Sequence, residues 1–202
     1  MRTVNVQSGQ GMAWEESMGR LRSLLTLTMA VVLAVLYGRA ITAQPQDKYT
    51  LQVPNGLAFS EFRGYEDWQT VAVSLIEAHN VMKVILANPV MIKAYRDGIP
   101  GNGKLFPDGS KTAKIEWRPK KITEPPFSAG TPGTVPDVLT KVEFIEKDTA
   151  RFPDTHGWAY AEFAYDAASG KFTPSVNDAK CGYVCHTIAA ASDYIFTAYA
   201  RR

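Results

Sequence analysis

The chain has 202 residues, 46% of them apolar and 21% charged, enough for one ordinary domain or two small ones and unlike a disordered, collagenous or disulfide-dense chain. Its formal charge of +2 resides in residues 1–43, where Arg2, Arg20, Arg22 and Arg39 face only Glu15 and Glu16. Taking these from the 22 basic and 20 acidic residues leaves 18 of each, and so neutral a body excludes nucleic acid as a partner on electrostatic grounds.

At the N-terminus, Arg20 and Arg22 precede a mostly apolar run of fourteen residues, Leu24 to Tyr37, followed by Ala40-Ile41-Thr42-Ala43. A spanning helix needs about 20 apolar residues, so the run reads as the core of an export signal with cleavage after Ala43. Residues 1–43 are expected to be a signal peptide and 44–202 the mature periplasmic domain, with no membrane attachment after cleavage. An uncleaved anchor is the alternative, and Met12 or Met18 are alternative starts.

Residues 44–60 read as extended and turn-rich, and Glu61 to Trp68 as the opening of a helix. Thr70 to His79 is rich in Val and Ile with partial alternation, and Val81 to Leu86 reads as a strand ending at Asn88-Pro89. One or two helical turns are expected over Val90 to Arg96, then a Gly/Pro loop from Asp97 to Gly109. Within it, Gly98 to Lys104 has P-loop spacing, but Leu105 stands where a magnesium-binding hydroxyl is needed; it is a turn.

Lys111 to Arg118 alternates, with Ala113, Ile115 and Trp117 on one face and Thr112, Lys114, Glu116 and Arg118 on the other. Pro119 to Pro136 holds five prolines and reads as a long irregular loop. Asp137 to Lys147 and Gly157 to Tyr165 are two further strands, and Asp178 to Tyr199 reads as helical. The predicted class is α+β, predominantly antiparallel β-sheet with short helices.

That last segment holds the only two cysteines of the chain. Cys181-Gly182-Tyr183-Val184-Cys185-His186 reads as a c-type haem attachment site. Two thiols on one helical turn can reach the two vinyl groups on a haem edge, and the adjacent His186 can lie under the iron as proximal ligand. One covalently bound haem c, with its iron, is the expected cofactor. A disulfide, a redox pair or half of a zinc site are the alternatives; for zinc only His79 and His156 remain, and no βαβ context suggests a redox fold.

The sixth iron position has no obvious ligand. No Met follows His186, and the mature chain has only Met82 and Met91, both simpler to read as core. His79 and His156 are further candidates, with His156 in a surface turn. A vacant sixth position points to small-molecule chemistry at the iron.

In order along the chain, Tyr65-Glu66-Asp67-Trp68, Ala87-Asn88-Pro89, Phe106-Pro107-Asp108-Gly109 through Lys114, and Phe152 before Gly157-Trp158 are similar to a known pattern. So is Cys181–His186 followed by Ser192-Asp193-Tyr194-Ile195-Phe196-Thr197. From about Phe62 to Tyr199 the sequence resembles cytochrome P-460 and its relative cytochrome c′-beta. The resemblance implies an antiparallel β fold, a homodimer and a five-coordinate periplasmic haem, with an unidentified periplasmic electron acceptor. It puts Lys114 where cytochrome P-460 has a lysine linked covalently to the haem edge, and Glu143 in the segment that carries a pocket glutamate.

Each has a plainer reading beside it. Lys114 shares its face with Thr112, Glu116 and Arg118, which looks like a solvated face. Glu143 could be a strand-surface residue paired with Lys141 or Lys147. The sequence also departs from those cytochrome P-460 enzymes that carry a catalytic glutamate just before the first cysteine, since Pro174 to Asp178 holds none.

Three functions follow. One is oxidation of hydroxylamine or a related nitrogen species toward nitrogen oxides, with Glu143 as distal proton acceptor. The second is NO or CO binding without catalysis, as in cytochrome c′-beta. The third is electron transfer with a protein sixth ligand.

Overall fold

A computed structural model describes residues 45–123 and 132–200. The export signal expected over residues 1–43 lies outside them, as does the middle of the proline-rich segment. Among the described residues no helix is long and apolar enough to cross a membrane.

Six strands form one antiparallel sheet whose spatial order is the order of the chain. They are β1 (Gln69–Ile76), β2 (Val81–Ala87), β3 (Lys111–Ile122), β4 (Gly133–Lys147), β5 (Trp158–Asp166) and β6 (Lys171–Pro174). The β-branched content of β1 and β2 suits a pleated surface, and Asn80 in the left-handed region (φ 50°) completes the turn between them. The helix α1 (Pro89–Arg96) follows β2.

Asn88 explains why the strand gives way to a helix at that point. Its Oδ1 accepts from the Met91 amide at 3.0 Å and the Lys111 amide at 3.1 Å, and its Nδ2 donates to the Gly109 carbonyl at 2.7 Å. With Pro89 at the first helical position, the cap is well formed. Asn88→Ala is expected to lower unfolding stability by about 1–2 kcal/mol, read as a shifted urea midpoint at constant m-value.

Alternation on the strands sends side chains to two different environments. On one face, Ala113 of β3, Val142 and Phe144 of β4 and Ala161 and Phe163 of β5 pack under Phe59 and Phe62. The other face carries Trp158 and Tyr160, which pack with Met91 and Ile92 of α1, Phe106 and Ile195. A third part of that second face is charged, and it forms the site described below.

Several elements differ from expectation. Glu61–Trp68 is not a helix but two 3₁₀ turns, Phe59–Phe62 and Tyr65–Asp67, parted by Gly64 at φ 75°. β3 continues through Pro119 to Ile122 and β4 begins at Gly133, with Pro119 opposite Pro136, so the irregular segment is shorter than its prolines suggest. β6, paired along Phe163–Asp166 of β5, has no counterpart in the sequence reading.

The largest correction falls at the C-terminus. Only α2 (Tyr183–His186) is α-helical, followed by a 3₁₀ turn over Thr187–Ser192 that is kinked at Ala189. Asp193 and Tyr194 then adopt left-handed φ values of 51° and 64°, which a helix cannot hold. The Ser192 hydroxyl donates to the Ala189 and Ile195 carbonyls, competing with helical bonding as such residues do.

Candidate cofactor pocket

Between the charged sheet face and the C-terminal turn lies a cavity of about 480 Å³, a size suited to a small-molecule or cofactor site. Cys181, Cys185 and His186 stand on one side; Lys114, Glu143 and Glu162 stand on the sheet. Both thiols are free and exposed. Among the described residues no three His, Cys, Asp or Glu side chains group as a metal site, so nothing completes the zinc alternative.

Three residues, Gly182, Tyr183 and Val184, separate the cysteines. That is one more than the Cys-x-x-Cys-His attachment pattern, and in this respect the motif is a departure from it. The backbone accommodates the extra residue. Gly182 already has helical dihedrals, the His186 amide donates to its carbonyl at 3.2 Å, and residues four apart on a helical turn share one face. Both thiols therefore reach the same cavity.

Gly182 is there because the β5 side leaves no room for a side chain. A Cβ at that position would meet the Tyr160 ring at 2.5 Å from Cδ1 and 2.6 Å from Cγ. Tyr160 itself is buried, its hydroxyl has no hydrogen-bond partner among the described residues, and burial pushes its phenol far above the ordinary value. Its ring lies 4.7 Å from that of His186, as does the ring of Phe196.

The His186 Nδ1 is 2.6 Å from the Tyr194 carbonyl oxygen. A carbonyl can only accept, so the hydrogen-bond network assigns the proton to Nδ1 and leaves the Nε2 lone pair free. Burial, opposed by that carbonyl and helped by the Lys114 cation, holds the imidazole below its ordinary pKa. A neutral imidazole oriented through its second nitrogen is the form that ligates a metal. Two free thiols beside such an imidazole, on one wall of a cavity of this size, fit a haem c.

Strand register builds the opposite wall. Ile85, Lys114, Glu143 and Glu162 are successive partners across β2, β3, β4 and β5, and Lys83, Glu116 and Lys141 make the neighbouring row. Lys114 pairs with Glu143 and, at 3.0 Å, with Glu116; Lys141 reaches Glu143 at 2.8 Å and Glu162 at 2.7 Å. Burial lowers the Lys114 ammonium below its usual value despite Glu116, and the neighbouring Lys141 and Lys83 cations add to this. Burial would raise the Glu162 carboxyl, but bonds from Lys141 and Ser175 outweigh it and hold the group low.

The solvated-face reading of Lys114 is thus overturned. Thr112 and Glu116 beside it are buried and Lys114 itself is half-buried on the cavity wall, whereas Arg118 farther along the strand is exposed. Glu143 lines the cavity and is also paired with Lys141, so its two readings coexist. Lys147 plays no part in that pairing; it is buried against Asp193.

The sixth-ligand candidates lie elsewhere. Met91, on the inner side of α1, is fully buried and Met82 is half-buried on β2, opposite Trp117. His79 is exposed in the β1–β2 turn, and exposed His156 stacks on Tyr194 at 4.9 Å. None of the four lines the cavity. Tyr160 and Glu162 carry no role in the sequence reading, where Lys141 enters only as a pairing option for Glu143 and Phe196 only within the run 192–197. Only the register, which sets Tyr160 opposite Ile145 and Glu162 opposite Glu143, marks the first two.

Against known proteins, a family model described as Cytochrome P460 matches residues 62–197, well over half of the chain and all of the site. No curated protein matches it.

Proposed function

Because this chain belongs to the cytochrome P460 family, a family of haem cytochromes, we propose that it is an exported mono-haem c-type oxidoreductase acting on hydroxylamine or a related nitrogen species. The observation that carries the reading is the pairing of walls: thiols and a neutral imidazole on one, an acid–base couple of Lys114 and Glu143 on the other. Haem, when bound, supplies an iron that accepts electrons from the nitrogen substrate.

In this reading the Cys181 and Cys185 sulfurs hold the macrocycle and His186 Nε2 holds the iron, with the Tyr194 carbonyl fixing its ring. Oxidation of hydroxylamine releases protons along with electrons, and the Glu143 carboxylate accepts them. Lys114, Lys141 and Glu162 form the ionic row along which that charge is compensated. Lys114, desolvated and on the cavity wall, is the residue for a link to the haem edge. Work in the periplasm, a homodimeric state and a separate periplasmic electron acceptor belong to the same proposal.

The second reading, NO or CO binding without turnover, draws on the aliphatic part of the wall, Ile85 and Ile145, and on the lack of a glutamate from Pro174 to Asp178. Electron transfer with a protein sixth ligand finds none of its candidate ligands, Met82, Met91, His79 or His156, among the described residues that line the cavity.

The test is the holoprotein under denaturing mass spectrometry, followed by a ferrous absorption spectrum and a hydroxylamine assay with a dye acceptor. Expected are a haem adduct lost in the double variant Cys181→Ala/Cys185→Ala, a red-shifted ferrous Soret band that reverts in Lys114→Ala, and turnover reduced about 10²–10⁴-fold in Glu143→Gln. Absence of covalent haem overturns the proposal. A haem-loaded protein that binds NO or CO and leaves hydroxylamine untouched establishes the second reading instead.

A further inference from the structure

Beneath the His186 turn lies an ion pair that the reading above does not use. Lys147, at the end of β4, and Asp193 have side chains only 2% and 1% exposed, and Lys147 Nζ donates to Asp193 Oδ1 at 2.8 Å and Oδ2 at 3.0 Å. The same carboxylate accepts from the Phe106 amide at 2.8 Å and from Trp158 Nε1 at 3.2 Å. Three separate parts of the fold, β4, β5 and the loop before β3, thus converge on one side chain of the C-terminal segment.

A pair buried this completely is weak evidence of stabilisation, because desolvating two charges offsets most of their attraction. Its geometry is more telling. Asp193 and Tyr194 are consecutive non-glycine residues at φ 51° and 64°, a conformation that persists only where the surroundings over-determine it. The carbonyl those dihedrals aim is that of Tyr194, the partner of His186 Nδ1 at 2.6 Å.

We infer that Lys147 and Asp193 are positioning residues for the iron ligand: the clamp on the Asp193 carboxylate holds the left-handed pair, which presents the Tyr194 carbonyl to His186. The inference rests on His186 being the haem ligand. A firmly held acceptor at Nδ1 makes Nε2 a stronger donor to the metal, so the clamp sets both the direction and the basicity of the axial imidazole.

The test uses ferrous holoprotein and the iron–histidine stretching band in its resonance Raman spectrum, with the reduction potential as a second readout. In a Lys147→Met background, which leaves no lone buried charge, Asp193→Gly removes every clamp bond yet tolerates the left-handed dihedral. The expected result is a broader band at lower frequency and a higher reduction potential. Asp193→Asn in the same background keeps one acceptor, for either Phe106 or Trp158, and tolerates the same dihedral, so its band is expected between those of the glycine variant and the wild type. Lys93→Met/Asp97→Asn, an exposed pair on α1, is the control. If the glycine variant does not accumulate, Trp158→Phe removes the 3.2 Å bond alone and is expected to move the band less, in the same direction.

An unchanged band and potential in the folded glycine variant, or in Trp158→Phe where that replaces it, overturn the inference and leave the proposed function standing. A wild type without covalent haem overturns both.

Discussion

Phe144→Ala is expected to destabilise the protein by about 3–5 kcal/mol, a large share of the roughly 5–15 kcal/mol that holds a domain of this size together. Phe144 is fully buried and stacks on Phe62 at 4.1 Å, with Phe59 at 5.0 Å and Tyr65 at 5.2 Å edge-on to it. Truncation removes the common partner of all three and leaves a void they cannot fill by small shifts, since Phe59 and Phe62 are held by one 3₁₀ turn and Tyr65 by the next. Phe144→Leu keeps most of the volume and is expected to cost under about 1.5 kcal/mol. Urea denaturation of the two variants checks the difference; equal midpoints would mean that the aromatic cluster repacks freely. The strand also forms part of the cavity wall, so loss of the cluster would loosen the site from behind.

The second large effect is on haem incorporation. Gly182→Ala places a methyl group 2.5 Å from Tyr160 Cδ1 and 2.9 Å from its Cβ, and the nearest atoms belong to the rigid base of an aromatic side chain. Tyr160 is confined in turn by His186 and by the core around Trp158, so the C-terminal turn must move away from β5. A cost of about 1–3 kcal/mol follows from such overpacking, and the two thiols shift with the turn that carries them. Covalent haem, quantified by mass spectrometry against wild type, is expected to fall to a minor fraction. The double variant Gly182→Ala/Tyr160→Ala is expected to recover part of it. Full incorporation in Gly182→Ala alone would show that the close approach to β5 does not govern attachment.

How much of this is legible in the sequence depends on whether a feature is local. Val81 to Leu86, the helical turns after Asn88-Pro89 and the strands over 137–147 and 157–165 are announced by alternation and by a cap, both of which act within a few residues. The two faces of Lys111 to Arg118 are equally legible, but not which of them meets solvent. That depends on residues 181–197, some seventy positions away, lying across from Lys114. The C-terminal helix is present but shorter than expected, for a related reason. Ser192-Asp193 can end a helix, but the left-handed turn needs Lys147, Trp158 and the Phe106 amide to hold it, and none of these is near in sequence.

The site shows the same division. Cys181, Cys185 and His186 are conspicuous as residue types, although the extra residue between the thiols changes how they are presented. Lys141 and Glu162 look like ordinary surface charges until the register sets Glu143 between them and Lys114. β6 is only four residues long, below the length at which alternation carries a signal.

Strand order that follows chain order has a consequence for assembly. Each pairing joins strands that are neighbours in sequence, which keeps contact order within the sheet low and favours rapid folding. The ionic wall of the cavity is complete within residues 83–162, and its β5 edge within residues 158–174. The thiol-bearing turn comes afterwards in synthesis and docks on that surface, supplying Asp193 to Lys147 and Trp158. The part that carries the proposed covalent bonds is laid down after the six strands, so its thiols can stay accessible to an attachment machinery while the sheet forms.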